Sequence, residues 1–188
     1  MNTGTLRNFI NNYNNVSMNH NIYSWIVSYS KNFDFYNIFL LDSIGNPLLS
    51  VDLSFPCEYE HYRDTIDEVI RPGEIVFSDL HVNSRGDIDI DIVIPLVEKN
   101  ELYGLLVVEI DPHQFLFPLI QSWPTPSPSA ETVLVRLEGE YVVFLNDLRH
   151  RRDTALKLKY PVDTEQLPAA MAARGAEGIV EGFDYRDV

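Results

Sequence analysis

Positive charge is scarce in this 188-residue chain: 14 lysines and arginines stand against 28 aspartates and glutamates, a formal net charge of −14. That balance excludes nucleic acid and anionic lipid as partners, because both need cationic residues to replace counterions. Cysteine is nearly absent. Cys57 alone forms no intrachain disulfide and builds no thiolate zinc cluster. No run nears the roughly 20 apolar residues of a membrane-spanning helix, since the most hydrophobic stretch, 102–120, is interrupted by Glu109, Asp111, Pro112 and His113. The start, MNTGTLRNFINNYNN, has neither the basic region nor the apolar core of a signal peptide. The expectation is a soluble chain, either cytoplasmic or an excised piece of a membrane protein. There is also no Gly-rich phosphate loop and no His-Glu-x-x-His motif.

What is present suits a globular protein. At 45% hydrophobic and 12% aromatic residues, the chain can bury one good core or two small ones. Leu6, Phe9, Ile10 and Tyr13, then Ile22, Ile26 and Tyr29, recur at spacings of three and four, one face of a helix. Asn14 and Asn15 weaken its middle, so two helical stretches or one broken helix is expected. Asn15-Val16-Ser17 matches a glycosylation acceptor by chance. Residues 38–42 and 47–52 flank a Ser-Ile-Gly-Asn turn and read as a hairpin. Tyr62, Ile66, Val69 and Ile70 give a short amphipathic helix stopped by Arg71-Pro72-Gly73. Asp111-Pro112 resembles a helix start leading through Phe115, Leu116, Leu119 and Ile120.

The segment 122–129, SWPTPSPS, holds three prolines in eight residues and reads as a linker. Expected domains are therefore a helical support over 1–35, a sheet domain over 36–121, a linker over 122–130 and a second module over 131–188. That module contains a hairpin over 131–145, a strand near 156–160 and a helix near 164–174. With roughly 60 residues it is small for an independent domain.

The stretch 77–111, FSDLHVNSRGDIDIDIVIPLVEKNELYGLLVVEID, carries the functional signal. It reads as three antiparallel strands. Asp87, Asp89 and Asp91 alternate with Ile88, Ile90, Ile92 and Ile94, so acids and isoleucines lie on opposite faces. A Ser84-Arg85-Gly86 loop with Gly86 in the left-handed region sets His81 opposite Asp89 and Asp79 opposite Asp91. A tight loop at Glu98-Lys99-Asn100 adds Tyr103, Leu105, Val107 and Glu109 to that face. The isoleucine face, with Leu80, Val82, Leu106, Val108 and Ile110, needs a cover, and the N-terminal helix is the natural one.

The acid face has two readings. Antiparallel sheets often leave one side in water, and a row of aspartates suits such a side. The functional reading is a binding pocket formed by Phe77, Asp79, His81, Asp89, Asp91, Tyr103 and Glu109, with Tyr62 or Arg63 from the preceding helix as its lid. Carboxylates with aromatics suit an amine or other cation, Arg63 suits a ligand carboxylate, and an amino acid uses both. A divalent metal is the weaker fit, because alternate residues of one strand project in parallel instead of wrapping an ion. No metal or cofactor is therefore expected.

Catalytic arrangements are thin. Cys57 and His61 share a helical spacing without a third group, and a buried thiol beside a surface imidazole explains them better. Asp79-Leu80-His81 has no nucleophile placed against it. Acid hydrolysis by the aspartate pair remains an alternative. The run Arg149-His150-Arg151-Arg152 reads first as a solvated loop, second as a partner for acids of another module, and third as an anion site.

The run IDPHQFLFPLIQSWPTPSPSAETVLVRLEGEYVVFLNDLRHR resembles the junction between the two modules of double-Cache, or tandem PAS-like, sensor regions of bacterial signalling receptors. YNIFLLDSIGNPLLSV, PGEIVFSDLHVN and the final GFDYRDV resemble the first hairpin, the strand entering the pocket and the approach to the last strands of that family. The resemblance covers roughly 36–188 and implies an α+β fold: a long N-terminal helix packed on a PAS-like antiparallel sheet, then a second, incomplete PAS-like module. It further implies an extracytoplasmic location in a membrane receptor with a histidine kinase or diguanylate cyclase output. Ligand binding without catalysis is the expected function. The competing readings are a protein-interaction module with no small-molecule ligand and an aspartate-dependent hydrolase. A homodimer through the N-terminal aromatic stripe is a further expectation, though intramolecular burial explains the stripe as well.

Overall fold

The N-terminal apolar spacing forms two helices, α1 (Thr3–Asn11) and α2 (Val16–Phe33). The computed structural model describes residues 3–13, 16–52, 74–122 and 127–186. The expected helix over 62–70, with Tyr62 and Arg63, and the pair Cys57 and His61 lie outside the described residues. Two compact units emerge, 1–112 and 113–188. The division falls ahead of the proline-rich segment, so the short helix α3 (Leu116–Gln121) belongs to the second unit instead of the first. There the Gln121 side chain donates to the Asp147 carbonyl at 3.5 Å. This helix starts later than the sequence suggests, with Phe115 and not Asp111 at its N-cap.

The first unit is a six-stranded antiparallel sheet made of β1 (Asn37–Asp42), β2 (Pro47–Ser50), β3 (Val76–Phe77), β4 (His81–Val82), β5 (Ile88–Glu98) and β6 (Glu101–Ile110). The order is β2-β1-β6-β5-β3, with β4 also pairing β5. Helices and antiparallel sheet together make the expected α+β, PAS-like arrangement. Lys99 and Asn100, both at positive φ, turn β5 into β6, and Glu98 pairs with Glu101. This is a two-residue hairpin turn of the kind whose twist suits the strands.

The even-numbered face is covered as expected. Leu6, Phe9 and Ile10 of α1 and Ile22 and Ile26 of α2 are buried with Ile38, Leu40 and Val108, against Ile92, Ile94, Leu106 and Ile110. Burying each such side chain contributes about 1.5–3 kcal/mol before its entropy cost. Gly104 permits the close approach: a Cβ there would lie 2.7 Å from Ile10 Cδ1 and 2.8 Å from the Leu41 carbonyl oxygen. The odd-numbered face has its own core of Phe39, Leu41, Val93, Leu105 and Val107. It is not a wet surface.

Two one-residue irregularities in the pairing decide which side chains reach that second face. Phe77 pairs with Ile92 while His81 pairs with Asp89, so four steps along one chain match three along the other. The extra residue inverts the alternation. In β6, Leu102 pairs with Val97 and Gly104 with Leu96, leaving Tyr103 as the extra residue.

The second unit holds a three-stranded antiparallel sheet, β7 (Val135–Glu138), β8 (Tyr141–Phe144) and β9 (Lys159–Pro161), and the helix α4 (Pro168–Ala173). Gly139 turns the hairpin at positive φ. Val142, Leu167 and Ala170 centre its core. Arg149, first of the basic run, is committed to this unit: its Nη1 donates to the Ser127 and Ala130 carbonyls at 2.8 Å each.

Candidate functional site

The site is a polar patch at one end of the odd-numbered face. Period-two alternation puts Asp89 and Asp91 side by side on β5, and pairing adds a neighbour to each. His81 of β4 stands opposite Asp89, and Glu109 of β6 opposite Asp91. Asp89 and Asp91 are fully buried and Glu109 is 5% exposed. Burial at that level settles the choice between a solvated acid row and an enclosed one.

His81 joins the two aspartates. Its Nε2 lies 2.8 Å from Asp89 Oδ1 and 3.3 Å from Asp91 Oδ2, and its Nδ1 lies 3.0 Å from the Asp79 carbonyl. A carbonyl only accepts, so Nδ1 carries a hydrogen. Burial by itself would lower the His81 pKa, but the hydrogen bond to Asp89, the Asp79 carbonyl and the two aspartate charges raise it to about 9. Asp91 is shifted up to about 8, first by burial and then by the Asp89 charge. Apart from these contacts with His81, the Asp91 carboxylate oxygens and Asp89 Oδ1 have no hydrogen-bond partner.

The Ser84-Arg85-Gly86 loop supplies the other cation. Gly86 takes φ +84° as its place in the turn requires. Asn83 Oδ1 accepts from the Arg85 and Asp87 amides at 2.9 and 3.0 Å, and its Nδ2 donates to Asp89 Oδ2 at 2.7 Å. Arg85 folds back so that Nη2 donates to Glu109 Oε2 at 2.9 Å and stands 3.8 Å from Asp89 Oδ2. Its guanidinium carbon lies 5.0 Å from the centre of the Tyr36 ring, a cation–π contact. Burial, then a hydrogen bond to Asp111, pushes the Tyr36 pKa up to about 12.

Of the residues expected to form the site, the structure therefore brings together His81, Asp89, Asp91 and Glu109. Phe77 is not among them: it pairs with Ile92 on the opposite side and is 65% exposed. Asp79 is exposed and does not face Asp91; its backbone carbonyl serves His81. Ser78 faces Asp91 instead, its amide donating to the Asp91 carbonyl and its Oγ accepting from the Asp91 amide, both at 2.8 Å. The bulge turns Tyr103 into the helix-covered core, under Arg7. Sequence reasoning missed Arg85, Asn83 and Tyr36. The available signal was an arginine inside the tight loop beside the acidic strand, close enough to return to it.

A separate cavity of about 400 Å³ lies in the second unit, floored by Val133, Val135, Phe144 and Leu167 with Glu131 and Tyr185 at its polar part. Tyr185 donates to Glu131 there at 2.6 Å.

No protein-family model and no curated protein matches the chain. Among solved structures it is similar to the sensory domain of the Campylobacter jejuni chemoreceptor Tlp3 with isoleucine bound. The two are 16% identical over 58% of this chain and 46% of that one, with a TM-score of 0.49. The V. cholerae histidine kinase DctB sensor domain is 15% identical over 79% and 76%, at 0.45. A domain of a sensory box/GGDEF family protein from Vibrio parahaemolyticus is 12% identical over 80% of each chain, at 0.43. The chain spans about half the length of the Tlp3 domain. The first two of these neighbours are sensory domains. Among the described residues no helix is long and apolar enough to cross a membrane.

Proposed function

We propose that this chain is the extracytoplasmic ligand-sensing part of a membrane receptor, and that it binds a small cation-bearing molecule, of the amine or amino-acid class, without catalysis. The observation that carries this is the pair of fully buried acids, Asp89 and Asp91, which share the single His81 Nε2 at 2.8 and 3.3 Å. A buried acid left in that state costs free energy that a bound cation offsets. His81, Asp89, Glu109 and Arg85 surround Asp91 with charge of both signs, which suits a ligand bearing both an ammonium and a carboxylate. Signalling needs no reaction. A ligand that favours one packing of the strands around the patch shifts the population toward it.

Thermal melting against amines, amino acids and carboxylates tests the reading, because a ligand that binds only the folded state raises the melting temperature. One class should raise it for the parent chain and not for Asp91→Ala. Equal shifts in both proteins would count against Asp91 as the site, and none with any class would leave the interaction-module reading ahead.

A further inference from the structure

Three carboxylates, Asp89, Asp91 and Glu109, share this buried patch with one guanidinium. Arg85 donates to Glu109 at 2.9 Å and stands 3.8 Å from Asp89 Oδ2, while His81 is the cation that reaches both aspartates. Nδ1 of that ring donates to the Asp79 carbonyl, so Nε2 of the neutral ring would turn a lone pair toward Asp89 Oδ1 at 2.8 Å. A positive charge must sit between them, and either a proton on Nε2 or a metal ion supplies it. In metal sites the ligating histidine commonly has its other nitrogen held in this way, by a carbonyl or carboxylate that fixes the ring.

The spacing agrees. Ligand atoms about 2.0–2.2 Å from a zinc-sized ion stand about 3–3.5 Å from each other in tetrahedral or octahedral sets. His81 Nε2 is 2.8 Å from Asp89 Oδ1 and 3.3 Å from Asp91 Oδ2, and ligand atoms of all three residues lie within 4.8 Å of one another. Two aspartates on one strand do project in parallel, but a histidine from the paired strand closes the third side. Asp89 Oδ2 is already held by Asn83. Among the described residues, its Oδ1 and both oxygens of Asp91 are the buried side-chain atoms with no hydrogen-bond partner apart from His81.

We propose that His81 Nε2, Asp89 and Asp91 bind one divalent transition-metal ion of the zinc kind. This rests on the reading of the acid patch as a ligand site and puts a metal ion in the place of the organic cation. The mixed nitrogen and oxygen set favours zinc or cobalt over calcium or magnesium, which prefer oxygen throughout.

The test uses the whole chain, stripped with EDTA and titrated with zinc chloride by calorimetry and with cobalt chloride by visible absorption. One equivalent should bind, cobalt should show d–d bands of a bound N/O site, and calcium should not compete. His81→Gln and Asp91→Asn should each weaken zinc at least about ten-fold and remove the cobalt bands. Absence of binding to the parent chain overturns the proposal, as does equal zinc affinity in parent and variants, which would place the metal elsewhere on this acidic protein. If Asp91→Asn does not fold, His81→Gln decides alone. Should an amine raise the melting temperature through Asp91 while zinc and cobalt do nothing, the sensing reading stands and the metal falls. If neither acts through Asp91, both fall.

Discussion

His81 and Asp89 are direct partners across β4 and β5, with Nε2 2.8 Å from a carboxylate oxygen that no solvent reaches. The pair links β4 to β5, and its protonation is tied to folding. Asp91 is raised from 3.8 to about 8 and His81 from 6.5 to about 9. In both cases the folded state holds a proton that the unfolded state has released, so stability falls as pH rises.

For protein freed of metal, Asp91's contribution is full below its unfolded value and is lost by about pH 8; that of His81 is full below 6.5 and is lost through about pH 9. Urea midpoints should therefore drop steadily between about pH 5 and 9. Asp91→Asn removes one titrating group and should flatten the lower part of that slope. A midpoint that climbs with pH would contradict the assignment.

Arg85→Met strands the Glu109 carboxylate among buried groups. Breaking one side of such a pair costs about 3 kcal/mol, read as a lower urea midpoint. Adding Glu109→Gln should recover most of that loss, because no charge then remains unpaired. A double variant as unstable as Arg85→Met alone would show that the arginine acts through packing on Tyr36 and not through Glu109.

Gly104→Ala places a methyl group 2.8 Å from the Leu41 carbonyl and 2.7 Å from Ile10 Cδ1. Ile10 can adjust its rotamer; a strand carbonyl cannot move without its ladder. A loss of about 1–3 kcal/mol is expected, with α1 loosened first in hydrogen exchange. An unchanged melting temperature would mean that α1 does not lie on β6 as closely as described.

Phe77→Ser and Tyr103→Phe test the face assignment. Both residues lie off the acid patch, so the affinity of zinc, or of any ligand found by melting, should stay within about two-fold, since contacts absent from the bound state carry no binding energy. A large loss in either would restore the sequence-based face.

Much of the sheet was legible. Alternating aspartate and isoleucine, the glycine-bearing loop at 84–86 and the hairpin at 37–50 each specify a local geometry with few alternatives, and the helical spacing of Leu6, Phe9, Ile10, Ile22 and Ile26 matched the face that the isoleucines required. Phe77 and Tyr103 were misplaced for one shared reason. Counting by twos is only as good as the register: Tyr103 is itself the residue that the ladder skips, and Phe77 lies just before the extra residue between β3 and β4. Arg85 escaped notice because a loop arginine has many rotamers, and nothing in its neighbours along the chain says which acid it meets.

The sequence by itself determined that Asp89 and Asp91 project from one side of a strand, that His81 faces the first of them, and that the isoleucine side takes the helices. These follow from backbone periodicity and turn chemistry, which act over a few residues. Only the tertiary structure decided that the acids are enclosed, that Arg85 joins them, and that Phe77 and Tyr103 do not. Burial depends on what distant parts of the chain lay over a surface, and a single skipped residue turns every later side chain to the opposite face.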